Sequence, residues 1–105
     1  MNPEPRFDAV VHAPNRLQVC AILAAVEDAE FPVLRDALGV SDSVLSKHLK
    51  VLEDAGYLTI TKATAVGRVR TRVALTGAGR RAFAGHLAEL RRLASGDAAD
   101  LLRPR

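Results

Sequence analysis

A single cysteine, Cys20, excludes an internal disulfide framework and a four-cysteine zinc site. Tryptophan is absent, and three Phe and one Tyr are too few for an aromatic platform that stacks single-stranded bases. No apolar run approaches the ~20 residues of a membrane span. The opening MNPEPRFDAV lacks the basic flank and apolar stretch of a secretory leader. Together these absences predict a cytoplasmic protein. There is no Gly-rich phosphate loop, no HExxH pair and no nucleophile–base arrangement. The residues therefore nominate no catalytic group, no metal site and no cofactor, and an enzyme is not expected.

What remains is a 105-residue chain, 49% hydrophobic, which fits one folded domain. A core of that size is modest, so an added subunit interface would help stability. The net charge is only +3, but it is unevenly placed. Residues 1–40 carry three bases against six acids, whereas 41–75 and 76–105 each carry six bases against three acids. From 57 to 75 there are four bases and no acid. A basic middle beside an acidic beginning suits a face directed at a polyanion, although a merely solvated surface would look the same.

Local signals predict a mainly α fold with a small β-hairpin, an α+β winged helix-turn-helix. Residues 1–13 read as an irregular arm, or as a short turn around Phe7, Val10 and Val11. Pro14 suits a helix start, and the helix is expected over 15–26, apolar on more than one face through Leu17, Cys20, Ile22 and Leu23. An acidic loop, 27–30, follows. Pro32 opens a second helix that Gly39 ends. Ser41 is a good N-cap, and Val40 with Leu45 fits a hydrophobic staple, so a third helix spans 41–55 and stops at Gly56. The period then changes. Leu58 and Ile60 alternate with polar neighbours, 62–67 forms a loop, and Val69, Thr71, Val73 and Leu75 alternate with Arg68, Arg70 and Arg72. Thr76 caps a last helix, 77–95, with Phe83, Leu87, Leu90 and Leu93 or Ala94 along one stripe. A flexible tail, 96–105, is expected beyond it. The DNA-contacting domain would thus occupy 14–76, with a dimerisation helix after it and the arm as a further dimer contact.

The third helix carries the chemistry. Leu45, Leu49 and Leu52 repeat at i, i+4, i+7 and should face the core. Ser43, Val44, Ser46, Lys47 and Lys50 then face outward, with short side chains first and basic ones later. A narrow N-terminal end against base edges, with lysines reaching phosphates, suits a helix in the major groove of duplex DNA. Val44 fits either a thymine methyl or partial burial beside Val40. The hairpin adds Lys62, Arg68, Arg70 and Arg72, which could straddle phosphates or enter a narrow minor groove. With Ser41, these are the candidate DNA contacts. Val10, Val11, Phe83, Leu87, Leu90 and Leu93 are the candidate dimer contacts.

The stretch VSDSVLSKHLKVLEDAGYL over 40–58 resembles the recognition helix and following strand of winged-helix regulators. GRVRT over 67–71 and LTGAGR over 75–80 resemble their wing and the start of their dimer helix. The likeness runs from Pro14 to Leu93 and is nearest the small winged-helix DNA-binding proteins allied to MarR-type repressors, with ArsR-type repressors next. It implies a homodimer on a pseudo-palindromic operator, usually as a repressor. The chain departs from MarR-type proteins in being short, with less helix at both ends. A dimer cleft has room for a small-molecule effector whose identity no pattern encodes.

Several blander readings stand beside these. Some winged helices dock proteins rather than DNA, although such a module would not need the arginine row. Cys20 could sense redox state or bind metal with His12, His48 or His86, but an isolated Cys in an apolar helix is more often a small buried hydrophobe. His48 and His86 read as packing or hydrogen-bonding residues.

Overall fold

A computed structural model describes residues 3–103, so positions 1, 2, 104 and 105, the ends of the expected arm and tail, lie outside the described residues. Among the described residues, five α-helices and three strands follow one another as α1 (Ala9–His12), α2 (Pro14–Ala24), β1 (Ala29–Glu30), α3 (Phe31–Leu38), α4 (Asp42–Asp54), β2 (Leu58–Ala65), β3 (Arg68–Leu75) and α5 (Gly77–Ala94). The strands form one antiparallel sheet in the order β1-β3-β2. This is a winged helix-turn-helix, mainly helical with a hairpin wing.

The capping chemistry explains the boundaries. Ser41 Oγ accepts from the Val44 N–H at 3.2 Å and starts α4. Gly39 ends α3 with φ +67°, a left-handed turn that a Cβ would oppose. Thr76 Oγ1 accepts from the Gly79 N–H at 3.0 Å and starts α5. Gly79 has a second duty. A Cβ there would lie 2.2 Å from the Tyr57 carbonyl oxygen, so only glycine lets α5 sit against the start of β2.

The core gathers one side of every long element. Val19, Cys20 and Leu23 of α2 meet Leu34 of α3, Leu45, Leu49 and Leu52 of α4, Leu58, Val73 and Leu75 of the sheet, and Phe83 of α5. Each buried leucine in such a set is worth roughly 2–5 kcal/mol when truncated to alanine. Among the described residues, no helix is long and apolar enough to cross a membrane.

The arm takes the second of its two readings, a short turn: Asp8 Oδ1 caps a one-turn helix by accepting from Val10 and Val11 N–H, and Val11 is fully buried. Two expectations change. The acidic loop contains β1, whose Ala29 and Glu30 pair with Val73 and Arg72. The 62–67 loop is mostly strand, because β2 continues to Ala65 and the turn is only Val66-Gly67. Both turn residues have positive φ, 54° and 72°, which matches the twist of a two-residue hairpin. Asp97–Leu102 of the tail winds into a 3-10 helix.

Candidate nucleic-acid interface

The cap and leucine stripe fix how α4 is rolled. With Leu45, Leu49 and Leu52 turned inward, Ser43, Val44, Ser46, Lys47 and Lys50 are all exposed. Val44 keeps 37% of its surface, so it lies on the outer face rather than under Val40. Ser41 is exposed, but its hydroxyl is engaged as the cap and lies 3.2 Å from Ser43 Oγ. Lys50 is not a free cation. Its Nζ lies 3.0 Å from Asp54 Oδ1, one turn along, which raises its pKa above the ordinary lysine range.

A cleft of about 780 Å³ separates α4 from the wing. Ser46, Leu49, Lys50 and Glu53 line one wall, Ile60, Lys62 and Thr71 the other, and Phe31 and Asp42 one end. Register decides which wing cations look into it. Lys62 is opposite Thr71, whereas Arg68, Arg70 and Arg72 are opposite Ala65, Ala63 and Thr61. Cross-strand partners share a face and neighbours alternate. Lys62 is therefore on the opposite face of the hairpin from the arginine row. The wing thus carries positive charge on both faces.

The arginine row divides further. Arg70 Nη1 lies 2.8 Å from Glu30 Oε1, and Arg72 Nη1 lies 2.5 Å from Asp28 Oδ1. Lys47, Lys62 and Arg68 are in no ion pair among the described residues. Val69, on the same face of β3 as Val73 and Leu75, is 67% exposed because the wing reaches past the body of the domain. Val66 at its tip is 99% exposed.

Two links were missed in the sequence. Arg35 joins α3 to α4 through Asp42 at 3.0 Å. Arg80 donates to the Ala24 and Val26 carbonyl oxygens at 3.3 and 3.1 Å, fastening α5 to the end of α2. Arg80 belongs to the LTGAGR segment, so its place was marked, but its partner was not.

The candidate dimer residues separate by burial. Val11 and Phe83 are packed in the protomer's own core, which leaves them almost no exposed surface. Val10 and Leu87 are half-buried against that core. Leu90 and Leu93 are half-buried further along α5.

Cys20 and the histidines have structural surroundings. Cys20 is fully buried, and burial pushes its thiol up to about 11, which suppresses the reactive thiolate. Among the described residues, no group of three or more potential ligands could hold a metal ion. His48 lies 3.4 Å from both Asn15 Nδ2 and Arg16 Nη1, linking α4 to α2. His86 is fully buried and accepts at Nδ1 from the Asp8 N–H at 3.0 Å. Its proton therefore sits on Nε2, which donates to His12 Nδ1 at 3.0 Å.

Comparison with known proteins agrees with this geometry. The family profile of the winged helix DNA-binding domain matches residues 15–94. The chain is 36% identical over 87 residues to the uncharacterized protein MJ0432 of Methanocaldococcus jannaschii, covering 83% of this chain and 90% of that one. Its fold matches a transcriptional regulator homologue from Pyrococcus horikoshii with a TM-score of 0.79 at 28% identity, over 83% of this chain and 86% of that one. It also matches the zinc-responsive MarR family member ZitR of Lactococcus lactis with a TM-score of 0.63 at 23% identity, over 90% of this chain and 63% of that one. The chain belongs to the winged helix DNA-binding domain family.

Proposed function

We propose that the protein is a transcriptional regulator that binds duplex DNA as a homodimer on a pseudo-palindromic operator, and acts as a repressor. The observation that carries this reading is the outer face of α4. Its first two turns present Ser43, Val44, Ser46 and Lys47, all exposed, with Lys62 across the adjoining cleft. Small side chains can approach base edges closely, and Lys47 can reach the flanking phosphates. Arg68 on the far face of the wing supplies a phosphate contact from another direction. Leu90 and Leu93 supply the second-copy contact, with Leu87 and Val10 as further contributors. The cleft between two such copies is where a small-molecule effector would bind.

A second reading is favoured by one specific observation. Lys50, Arg70 and Arg72 already have carboxylate partners, which lowers the charge available to a polyanion and suits a protein-docking wing. Selection of bound fragments from host genomic DNA separates the two. A DNA-binding regulator enriches a two-fold symmetric sequence, and replacing Val44 or Ser46 changes which fragments are recovered. Failure to enrich any sequence favours the docking module.

A further inference from the structure

The acidic segment before α3 meets the wing in an orderly way. Strand β1 pairs with β3, placing Glu30 opposite Arg72 on the arginine face. Glu30 Oε1 lies 2.8 Å from Arg70 Nη1 and 3.6 Å from Arg72 Nη2, so one carboxylate serves two guanidiniums. Asp28 Oδ1 takes the remaining Nη1 of Arg72 at 2.5 Å. The arginine side chains are each 51% exposed and Glu30 only 27%, so the guanidiniums are turned back toward the sheet edge. Glu30 also lines a smaller cleft between the wing and the start of α4, together with Arg35, Asp42, Arg68 and Arg70.

Stability does not account for this arrangement, because ion pairs open to solvent contribute little. Its larger consequence is competition. A carboxylate offers the guanidinium fork the same paired oxygens as a phosphate, and these carboxylates cannot diffuse away. We propose that Asp28 and Glu30 are intramolecular phosphate competitors that hold Arg70 and Arg72 back from DNA. They set the wing's affinity for unselected duplex and leave Lys62 and Arg68 as its free phosphate-binding groups. Relief of the competition needs a duplex held firmly enough by α4 to displace both carboxylates, which favours a cognate site over random sequence. The inference rests on the DNA-binding reading and refines it.

The test uses the full chain and a labelled random-sequence duplex, titrated at several salt concentrations. The double variant Asp28→Asn/Glu30→Gln should bind roughly three- to tenfold tighter at low salt. Its plot of log affinity against log salt should be steeper by about one to two per chain, as two more cations engage phosphates. Arg70→Ala/Arg72→Ala should change random-duplex affinity less than about twofold in the native background, yet remove the whole gain in the neutralised one. The melting temperature checks that each variant folds; Asp28→Asn and Glu30→Gln alone carry the same test if the double variant does not. If wild type binds duplex and the neutralised variants bind equally or more weakly, the acids are buttresses or bystanders. That outcome overturns the competition and leaves DNA binding standing. If neither wild type nor variants bind any duplex, the DNA-binding reading fails and the competition fails with it.

Discussion

The hydroxyl of Tyr57 donates to Asp8 Oδ2 at 2.5 Å, joining the residue just beyond α4 to the cap of the N-terminal turn. The other oxygen of Asp8 holds the Val10 and Val11 N–H groups, and its own N–H is taken by His86. A single aspartate thus ties together α1, α5 and the junction between α4 and β2. The hydrogen bond to Asp8 also raises the Tyr57 pKa above the usual phenol range. Tyr57→Phe removes only the donor. A hydrogen bond to a charged group contributes roughly 1.5–3 kcal/mol, so urea unfolding should show a loss of about that size with the fold retained. An unchanged midpoint would show that water replaces the hydroxyl without cost.

Stability should fall in mild acid. Burial first, and then the neighbouring His12, hold the pKa of His86 below the ordinary imidazole value, with Asp8 pulling it upward. The unfolded chain therefore takes up a proton that the folded chain resists. Above about pH 6.5 both states are neutral and nothing is lost; below it the unfolded state binds more protons and stability declines. Protonation at Nδ1 would also displace the Asp8 N–H. His48 is lowered as well, by burial and then by Arg16, and adds to the slope. His86→Gln should flatten the decline between pH 7 and 5 without abolishing it. An identical decline in that variant would assign the effect elsewhere.

Gly79→Ala should destabilise the protein by roughly 1–3 kcal/mol, the usual cost of an extra methyl in packed space. The clash is with a backbone carbonyl, which cannot rotate away as a side chain can. The neighbouring Gly77, whose added Cβ would meet only the end of the Arg81 side chain at 3.3 Å, is the control. Thermal unfolding of both variants checks the contrast; equal melting temperatures would refute it.

Leu90→Glu should leave the fold intact and yield a monomer in sedimentation. Leu90 is only half-buried in the protomer, so the charge gains solvent on its own chain while disrupting an apolar seam with a second one. A wild-type monomer at micromolar concentration would remove the dimer altogether.

These residues also show what the sequence made legible. Ser41, Gly39 and Thr76 marked helix ends because caps and left-handed stops are local chemistry. The Leu45–Leu49–Leu52 stripe fixed the roll of α4 because one side is buried. The wing was harder. Beyond Lys62 both faces of the hairpin are solvated, so no apolar alternation marks the strand and the second half of β2 read as loop. Strand β1 has two residues, too few to show any period. Without it, Asp28 and Glu30 had no visible relation to arginines some 40 positions away. Val11 looked like surface because a one-turn helix, held by Asp8 and His86, carries no long-range signature in sequence.

The most direct measurement is a titration of the protein onto duplex DNA as salt is raised. Lys47, Lys62 and Arg68 are each in no ion pair among the described residues, which gives three free phosphate contacts per chain. On random-sequence duplex a dimer should then show log affinity falling with log salt at a slope of about −5. Arg68→Ala should weaken selected and random duplex together and reduce that slope by about two per dimer. Affinity that hardly changes between low and physiological salt, or an Arg68→Ala variant that relaxes preference at one base pair while keeping the slope, would contradict a wing that grips the DNA backbone.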